Sequence, residues 1–293
     1  MIKRLKYHEI DFEKYSRSIE NSVQKNFYAK KEILDQLCEE WQLLIKDDYD
    51  FVMPVPIKKK YALEFVLMPL FCQQLGVFGK EINEKTEQEF LDFFCKNYRI
   101  VNYSFNFRNT FLQDIKRKKN YYIEKSDYKT LRKYYFKGRK STVKSAQYLH
   151  FKEVELSDVR IFIRENFKGL QKISDVEKFF RYLNFLQEKQ QLKLFGSFKD
   201  CDLTNLAILI DDGKTYALLG LINNEKFRSD NGASFLIDRI LQETIHQKSF
   251  DFMGGGIRGI EVFFKSFGAA LQEYSVIENS KKELFKKVLR MRF

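Results

Sequence analysis

The chain has 293 residues, 44% of them hydrophobic and 31% charged, with a formal net charge of +12 at pH 7. This length exceeds one ordinary domain and suits two domains of about 150 residues each. No apolar run approaches the roughly 20 residues that cross a bilayer, so a membrane-spanning protein is excluded. Residues 1–10 also lack the unbroken apolar stretch of a secretory signal, and we expect a cytoplasmic location.

The positive charge predicts attraction to polyanions such as RNA, nucleotide cofactors or anionic polymers. A merely solvated, lysine-rich surface fits the same composition equally well. The four cysteines form no CxxC pair and there are only three histidines. We therefore expect neither a structural zinc site nor a disulfide framework.

Periodicity and turn residues predict the elements of the first half. Apolar residues at helical spacing indicate a helix over residues 33–45. Residues 51–57 and 61–71 are rich in Val, Phe and Tyr and flank a basic turn, which predicts a hairpin. Thr86 with Glu89 resembles a capping box that opens a helix. A strand follows over residues 100–107.

The middle of the chain changes character. Residues 127–147 are strongly basic and aromatic and predict one helix, and residues 148–156 read as the strand that begins the second half. Ser174 with Glu177 resembles a capping box, before a run of apolar residues that share one helical face.

The last third again alternates strands and helices. Residues 205–210 and 215–222 flank Asp211-Asp212-Gly213, and an Asp-Gly pair suits a tight hairpin turn. A helix is predicted after Asn231-Gly232, followed by a strand over residues 249–253.

One order of elements occurs twice. Strand, glycine-containing loop, helix and strand follow one another in residues 61–107 and again in residues 215–253, which indicates a duplicated unit. We predict an α/β protein with domains at residues 1–147 and 148–293. Each copy ends a strand in a loop that opens a helix, and such a terminus can bind an anion, although most α/β crossovers share this feature.

Two stretches near the C-terminus carry a family resemblance. Residues 251–259 (DFMGGGIRG), followed by residues 263–269 (FFKSFGA), resemble the end of a GNAT (acyl-CoA N-acyltransferase) domain in the FemABX-like superfamily. In the first half, Trp41, residues 48–49, 52–56, 58–60 and 73–78 resemble the N-terminal half of bacterial tandem-GNAT proteins of the same group. The resemblance covers most of the chain.

This resemblance implies two tandem GNAT-like domains, each a mixed, mostly antiparallel sheet flanked by helices. It implies acyl or aminoacyl transfer from acyl-CoA or aminoacyl-tRNA to an amine or hydroxyl, without a metal. The acceptor would be a small molecule or resemble a cell-wall precursor. The basic segments 116–119 and 132–144, with aromatic residues between the cations, could suit an RNA donor.

The resemblance also suggests the residues of a site. Candidate catalytic groups are Asp251, Glu64 and Tyr274. The donor phosphates are expected at Arg228, Asn231, Gly232, Ala233 and Ser234. Substrate contacts are expected from Trp41, Lys59, Gln73, Gln74, Gly254, Gly255 and Arg258.

Two positions depart from the family pattern. Met253 stands where the related motif has Glu, and a thioether cannot act as a general base. Phe264 stands where many GNAT enzymes have the Tyr that protonates the leaving thiolate. A binding module for an anionic ligand, without catalysis, is therefore the alternative hypothesis. A scaffold for assembling a surface polymer is a third.

Overall fold

The computed structural model describes residues 1–60, 63–280 and 282–284. It separates into two compact units, Met1–Lys118 together with the chain from Glu273, and Lys119–Gln272. Within the described ranges, none of the helices has the length and apolar character needed to cross a membrane.

The elements of the first half are β1 (Lys3–Leu5), α1 (Phe12–Asn21), α2 (Lys31–Leu37), β2 (Glu40–Lys46), β3 (Phe51–Lys60), β4 (Leu63–Leu67), β5 (Phe78–Gly79), α3 (Glu84–Asn97) and β6 (Ile100–Ser104). Those that follow are β7 (Arg117–Ile123), α4 (Tyr128–Lys133), α5 (Lys137–Ser145), β8 (His150–Glu153), α6 (Leu156–Asn166), α7 (Ile173–Glu188), β9 (Leu192–Lys199), β10 (Asp202–Asp211), β11 (Thr215–Asn223), α8 (Gly232–Thr244), β12 (Ser249–Asp251), α9 (Arg258–Lys265) and β13 (Ala270–Glu278).

The strands of the two units have the same spatial order and relative directions. The strand order is β1-β2-β3-β4-β6-β13 in the first unit and β8-β9-β10-β11-β12-β7 in the second. In each sheet the fourth and fifth strands are parallel, and the other neighbouring pairs are antiparallel. The connecting helix between the parallel strands is α3 in one unit and α8 in the other. The predicted duplication and the predicted α/β class are confirmed.

The units do not coincide with the predicted halves of the sequence. The chain passes from the first unit to the second within β7 and returns within β13. Each sheet thus takes its last strand from the half of the sequence assigned to the other domain. Which sheet a strand joins depends on the strand with which it pairs at the sheet edge, and the order of the strands along the chain does not show this. The division into domains at 1–147 and 148–293 stays a prediction.

Both predicted hairpins are confirmed. β10 pairs antiparallel with β11, and Gly213 in the turn has φ +92°. The Asp212 carboxylate accepts hydrogen bonds from the N–H groups of Lys214 and Thr215, which closes the turn. β3 and β4 form the other hairpin. Tyr61 and Ala62, predicted to begin its second strand, lie outside the described residues.

The helix predicted over residues 33–45 is wrong in its second part. α2 ends at Leu37, and the segment from Trp41 to Ile45 lies in β2, where all five residues are buried. A strand buried on both faces is a continuous apolar run, which helical spacing also fits.

Several other boundaries differ from prediction. α3 and α7 form as predicted but begin earlier, at Glu84 and Ile173, so the two predicted capping boxes are wrong. The strands predicted over residues 100–107, 148–156 and 249–253 are shorter, Ile100–Ser104, His150–Glu153 and Ser249–Asp251. Residues 127–147 form two helices, α4 and α5, rather than one. The break occurs because the Phe136 N–H donates to the carbonyl of Ser266, outside the helix.

Each unit has its own core. In the first, the ring of Phe94 contacts those of Tyr98, Tyr103 and Phe105. In the second, the apolar face of α8 packs on strand residues that point to one side of the sheet, including Tyr121, Leu218, Phe250 and Phe252. Asp251 alternates with Phe250 and Phe252 and so lies on the opposite side of this sheet.

Glycine substitutions in the two units should have opposite effects. Gly76 has φ +116°, and a Cβ there would lie 2.1 Å from Asn109 Oδ1. Gly76→Ala should lower the free energy of unfolding by roughly 1–3 kcal/mol, through strain and steric conflict. Gly138→Ala, in α5 with open space around it, should raise it by up to about 1 kcal/mol. Thermal melting of both variants measures this, and equal midpoints would contradict the packing described around Gly76.

Candidate active site

The parallel strands of the second unit separate shortly after they pair. β11 and β12 are in register only from Thr215 with Ser249 to Ala217 with Asp251. β11 continues to Asn223, and along Leu218–Asn223 it pairs only with β10 among the described residues. The opposite edge of this segment therefore offers unpaired backbone groups beside the end of β12.

Asp251 is the last residue of β12, at the point of separation. Its Oδ1 accepts two hydrogen bonds, from the Met253 N–H (2.7 Å) and from Asn120 Nδ2 (2.9 Å). Its Oδ2 accepts none from the described residues. The carboxylate is thus held by one oxygen and has the other available for a proton.

Burial raises the pKa of Asp251 from an ordinary value of 3.8 to about 6. The hydrogen bonds from Met253 and Asn120 oppose this shift, whereas the nearby charge of Asp212 adds to it. A carboxylate with such a pKa is still ionised at neutral pH and is a better base than an ordinary aspartate.

The N-terminus of α8 presents free backbone donors. Asn231 precedes the helix with φ +58°, and its side chain does not cap the terminus. The Ser234 and Phe235 N–H groups bond to the carbonyl of Asn231, but those of Gly232 and Ala233 donate to no described residue. No acidic residue lies in the first turn of α8. This terminus can therefore favour an anion.

Gly232 is required by close packing. A Cβ at Gly232 would lie 1.8 Å from Asn205 Oδ1 and 3.0 Å from Thr204 Oγ1. Both neighbours belong to β10, so only glycine lets the helix begin this near to the sheet.

Arg139 of α5 brings a positive charge to this terminus. Its Nη1 bonds to Ser234 Oγ and its Nε to Ser266 Oγ (2.8 Å). Its guanidinium also lies over the rings of Phe263 and Phe267, 4.4 and 4.7 Å from their centroids. Burial lowers the pKa of Arg139, and all of these partners are neutral.

The FFKSFGA stretch therefore has a structural explanation in this chain. Phe263, Ser266 and Phe267 together hold Arg139, and Ser266 Oγ also donates to the Phe263 carbonyl (2.6 Å). The sequence did not single out Arg139, because no local pattern distinguishes it from the other cations of residues 132–144.

The two departures from the family pattern have different surroundings. Phe264 is 7% exposed and stacks on Phe252 with ring centroids 4.3 Å apart. Met253 has φ +54° and begins the turn by which the chain leaves the sheet. Phe264 thus packs in the core, and Met253 serves the site through its backbone N–H.

The remaining predicted residues of the second unit lie in loops or at helix ends. Gly254 donates its N–H to Asn120 Oδ1 (2.8 Å), and Gly255 has φ +145° and packs against the ring of Tyr121. Arg258 is exposed at the start of α9. Arg228 is exposed and its guanidinium lies 3.8 Å from Glu225, so it is not directed to the α8 terminus by any described contact.

Several predicted substrate residues are structural parts of the first unit. Trp41 is 1% exposed, and its Nε1 donates to Asp35 Oδ1 (2.9 Å). Gln74 is 5% exposed, accepts from the Phe107 N–H (2.8 Å) and donates to Gln73 Oε1 (3.1 Å). These contacts show that Trp41 and Gln74 are packed inside the first unit, and their predicted roles in substrate binding stay predictions.

Lys59, Glu64 and Tyr274 also belong to the first unit. Lys59 forms an ion pair with Glu40 (2.5 Å), and Glu64 accepts from Arg4 Nη2 (2.7 Å). Tyr274 is buried on β13. Asp251 thus shares its unit with neither of the other two predicted catalytic residues, whose roles stay predictions.

A basic strip lies on α4, α5 and the loop between them. Residues 128–152 contain eight Lys or Arg and no Asp or Glu. The strip comprises Lys129, Arg132, Lys133, Lys137, Lys140 and Lys144. None of the six forms an ion pair with a described residue, although Lys119 and Lys265 both pair with Glu261. Tyr134 and Phe136, 68% and 51% exposed, lie among them.

Comparison with known proteins shows the fold. No protein-family model and no curated protein sequence matches the chain. The solved structure of FemX matches with a TM-score of 0.62 and 10% identity, over 97% of this chain and 99% of FemX. The chain has a tandem GNAT fold of the FemX-like type. Both units are needed for so complete an overlap.

Two further structures share this FemX-like fold. A tandem GNAT protein from the clavulanic acid biosynthesis pathway matches with a TM-score of 0.55 and 8% identity, over 94% of this chain and 97% of that protein. L-PGS from Bacillus licheniformis matches with a TM-score of 0.52 and 10% identity, over 96% of this chain and 95% of the other. Identities this low establish a common fold and nothing finer.

The two GNAT-like units differ at the equivalent helix terminus. In the first unit, Asn83 caps α3, and Glu84 and Glu87 lie in its first turn. Glu87 is fully buried and accepts from Gln24 Nε2 (2.9 Å) and the Thr110 N–H (2.5 Å). Burial raises its pKa to about 7. The chain's own acidic groups thus occupy the terminus that remains open to an anion in the second unit.

No group of three or more His, Cys, Asp or Glu side chains suited to a metal ion occurs in the described residues. The site of the second unit is instead built from one carboxylate, one guanidinium and backbone N–H groups.

The raised pKa of Asp251 predicts a stability effect with a definite sign. A carboxyl group whose pKa is higher in the folded state contributes stability below its ordinary pKa and loses it as pH rises through about 6. Asp251→Asn should therefore stabilise the protein at about pH 8, by up to about 3 kcal/mol, and have little effect below about pH 4. Thermal melting across this pH range measures the difference, with Asp200→Asn in an exposed turn as the control. A gain that does not depend on pH would contradict the assignment.

Proposed function

We propose that this protein is an acyltransferase of the GNAT/FemABX type, which moves an acyl or aminoacyl group from acyl-CoA or aminoacyl-tRNA to an amine or hydroxyl. The observation that carries the proposal is the separation of β11 from β12, with Asp251 at its apex. A donor carbonyl inserted there would meet unpaired backbone groups of β11, and the acceptor would meet Asp251 Oδ2.

The chemistry follows from these groups. Asp251 Oδ2 takes the proton of the acceptor amine or hydroxyl as its nitrogen or oxygen attacks the donor carbonyl carbon. Backbone N–H groups stabilise the oxyanion that develops there. The carbon–sulfur bond of a thioester, or the carbon–oxygen bond of an aminoacyl ester, then breaks. The leaving group takes a proton from water and becomes a thiol or a ribose hydroxyl, and Asp251 returns the acceptor's proton to water.

The donor phosphates are assigned to the α8 terminus. Asn231, Gly232, Ala233 and Ser234 lie at its start, and Arg228, close by in sequence, is predicted to assist by charge-assisted hydrogen bonding. Arg139 supports the assignment, because it adds a positive charge beside Ser234 without a neutralising carboxylate.

Of the two proposed donors, acyl-CoA and aminoacyl-tRNA, the basic strip favours aminoacyl-tRNA. Its cations could contact phosphates, and Tyr134 and Phe136 could stack on unpaired bases. A location in the cytoplasm, where either donor is available, and an acceptor that resembles a small molecule or a cell-wall precursor belong to the same proposal.

The alternative is a module with this fold that binds an anionic ligand without catalysis. Phe264 supports it, because a buried phenyl ring cannot protonate a leaving group. The two functions share the α8 terminus and differ in whether Asp251 is used.

Donor binding should raise the thermal midpoint, since a ligand that binds only the folded state stabilises it. We expect a shift with coenzyme A and acetyl-CoA if the donor is a thioester, and with tRNA if it is an aminoacyl ester. The variant Lys133→Gln/Lys137→Gln/Lys140→Gln should lose the tRNA shift and retain any coenzyme A shift. Lys3→Gln/Lys6→Gln/Lys25→Gln, in the first unit, is the matched charge control. No shift with any of these compounds would contradict both the enzyme and its proposed donors.

Asp251→Asn should abolish most catalysis while preserving donor binding. Because the amide cannot accept the acceptor's proton, the turnover rate should fall by about 10²–10⁴ fold. The wild-type rate should rise with pH through about 6, as the Asp251 carboxyl loses its proton. Transfer is measured with the donor that shifts the midpoint, across a panel of amine and hydroxyl acceptors. An Asp251→Asn variant as active as the wild type would rule out Asp251 as the base.

A further inference from the structure

Where β12 ends, side chains take over the hydrogen bonds that backbone groups make between paired strands. The Phe252 N–H still donates to the backbone carbonyl of Tyr121 (2.9 Å). Two residues later, the Gly254 N–H donates instead to the side-chain Oδ1 of Asn120 (2.8 Å), after the turn at Met253. Asn120, on β7, thus holds the departing chain by its side chain rather than by its backbone.

The same amide contacts the carboxylate of Asp251. Asn120 is 0% exposed, and its Nδ2 donates to Asp251 Oδ1 (2.9 Å). Its Oδ1 must be the acceptor for Gly254, because a backbone N–H can only donate. The two contacts therefore determine the orientation of the amide, and that orientation directs an N–H at Asp251.

We propose that Asn120 is a positioning residue for Asp251, which holds Oδ1 so that Oδ2 is the oxygen that accepts the acceptor's proton. This inference rests on the proposed function for its catalytic consequence. The inference rests geometrically on Asp251 Oδ1, which accepts two N–H groups, and on Oδ2, which accepts none from the described residues. This basis does not depend on which acyl donor is used.

Two titratable groups act on the charge of Asp251. Asp212, in the β10–β11 turn, disfavours its ionisation, and Tyr122, on β7, also interacts with it. No cation among the described residues is directed at the carboxylate. Hydrogen bonds from Asn120 and from the Met253 N–H are therefore what stabilise its ionised form.

Asn120→Ala tests the inference through the pH profile. Loss of one hydrogen bond to the ionised carboxylate should move the acid limb of the rate profile upward by about one pH unit. The rate should recover to within about threefold of wild type well above that limb, because Oδ2 remains. A residue of merely structural importance would lower the rate at every pH and leave the limb where it is.

Two further variants make the result interpretable. Asn106→Ala removes a similarly buried asparagine, 2% exposed, from the first unit and should cost stability without moving the limb. Asn120→Asp keeps the shape and the acceptor for Gly254 but places a second carboxyl group beside Asp251. The pair should then titrate together, with the limb higher than in Asn120→Ala. An unmoved limb in both Asn120 variants would overturn the inference.

A measurement without catalysis separates this inference from the proposed function. The difference in thermal midpoint between a protein and its Asp251→Asn derivative stops growing at the pH where Asp251 of the folded protein becomes ionised, so this levelling-off pH reports the titration of Asp251 in the folded state. This pH should rise when Asn120 is replaced. If it rises and no variant transfers an acyl group, the contact stands and the proposed function fails. If transfer depends on Asp251 but neither the limb nor this pH moves, the function stands and the role of Asn120 is wrong.

Discussion

The geometry of the candidate site depends on hydrogen bonds that side chains make in place of the backbone where β12 leaves the sheet. If β12 continued to pair with β11, its next backbone groups would form hydrogen bonds with β11, and the two strands would not separate. Instead the Asp251 carboxylate accepts a hydrogen bond from the Met253 N–H, and the Asn120 side-chain oxygen accepts one from the Gly254 N–H. The left-handed conformation of Met253 then turns the chain away. One small network of hydrogen bonds thereby opens the sheet and orients the Asp251 carboxylate.

Duplication of the fold has not produced duplicated chemistry. Both units place a helix between parallel strands, so both could present a helix N-terminus to an anion. In the first unit, Glu84, Glu87 and the Asn83 cap already satisfy or neutralise that terminus. In the second, the first turn of α8 has no acid and lies beside Arg139. The two helix ends therefore differ in whether their first turn carries acidic residues and a side-chain cap.

The FFKSFGA stretch, one of the segments that carried the family resemblance, has a mainly architectural role. Phe263, Ser266 and Phe267 hold Arg139, and Phe264 fills the core beside Phe252. A sequence match at such positions therefore reports how the unit is assembled. It does not report whether the leaving group receives a proton, and here the departure at Phe264 leaves that step without a donor from this motif.

The sequence by itself determined the α/β class, the two hairpins, α3, α7, α8 and the repeated order of elements. Periodicity and turn residues are local, and local sequence carries them. It also predicted Asp251 and the α8 terminus as site residues, and these roles stay predictions. Only the tertiary structure decided that Trp41 is a core residue, that β7 and β13 complete the sheets, and that Asn120 and Arg139 join the site. These assignments depend on contacts between residues more than 90 positions apart in the case of Arg139 and Ser234, and more than 130 in that of Asn120 and Asp251. No local pattern encodes such contacts.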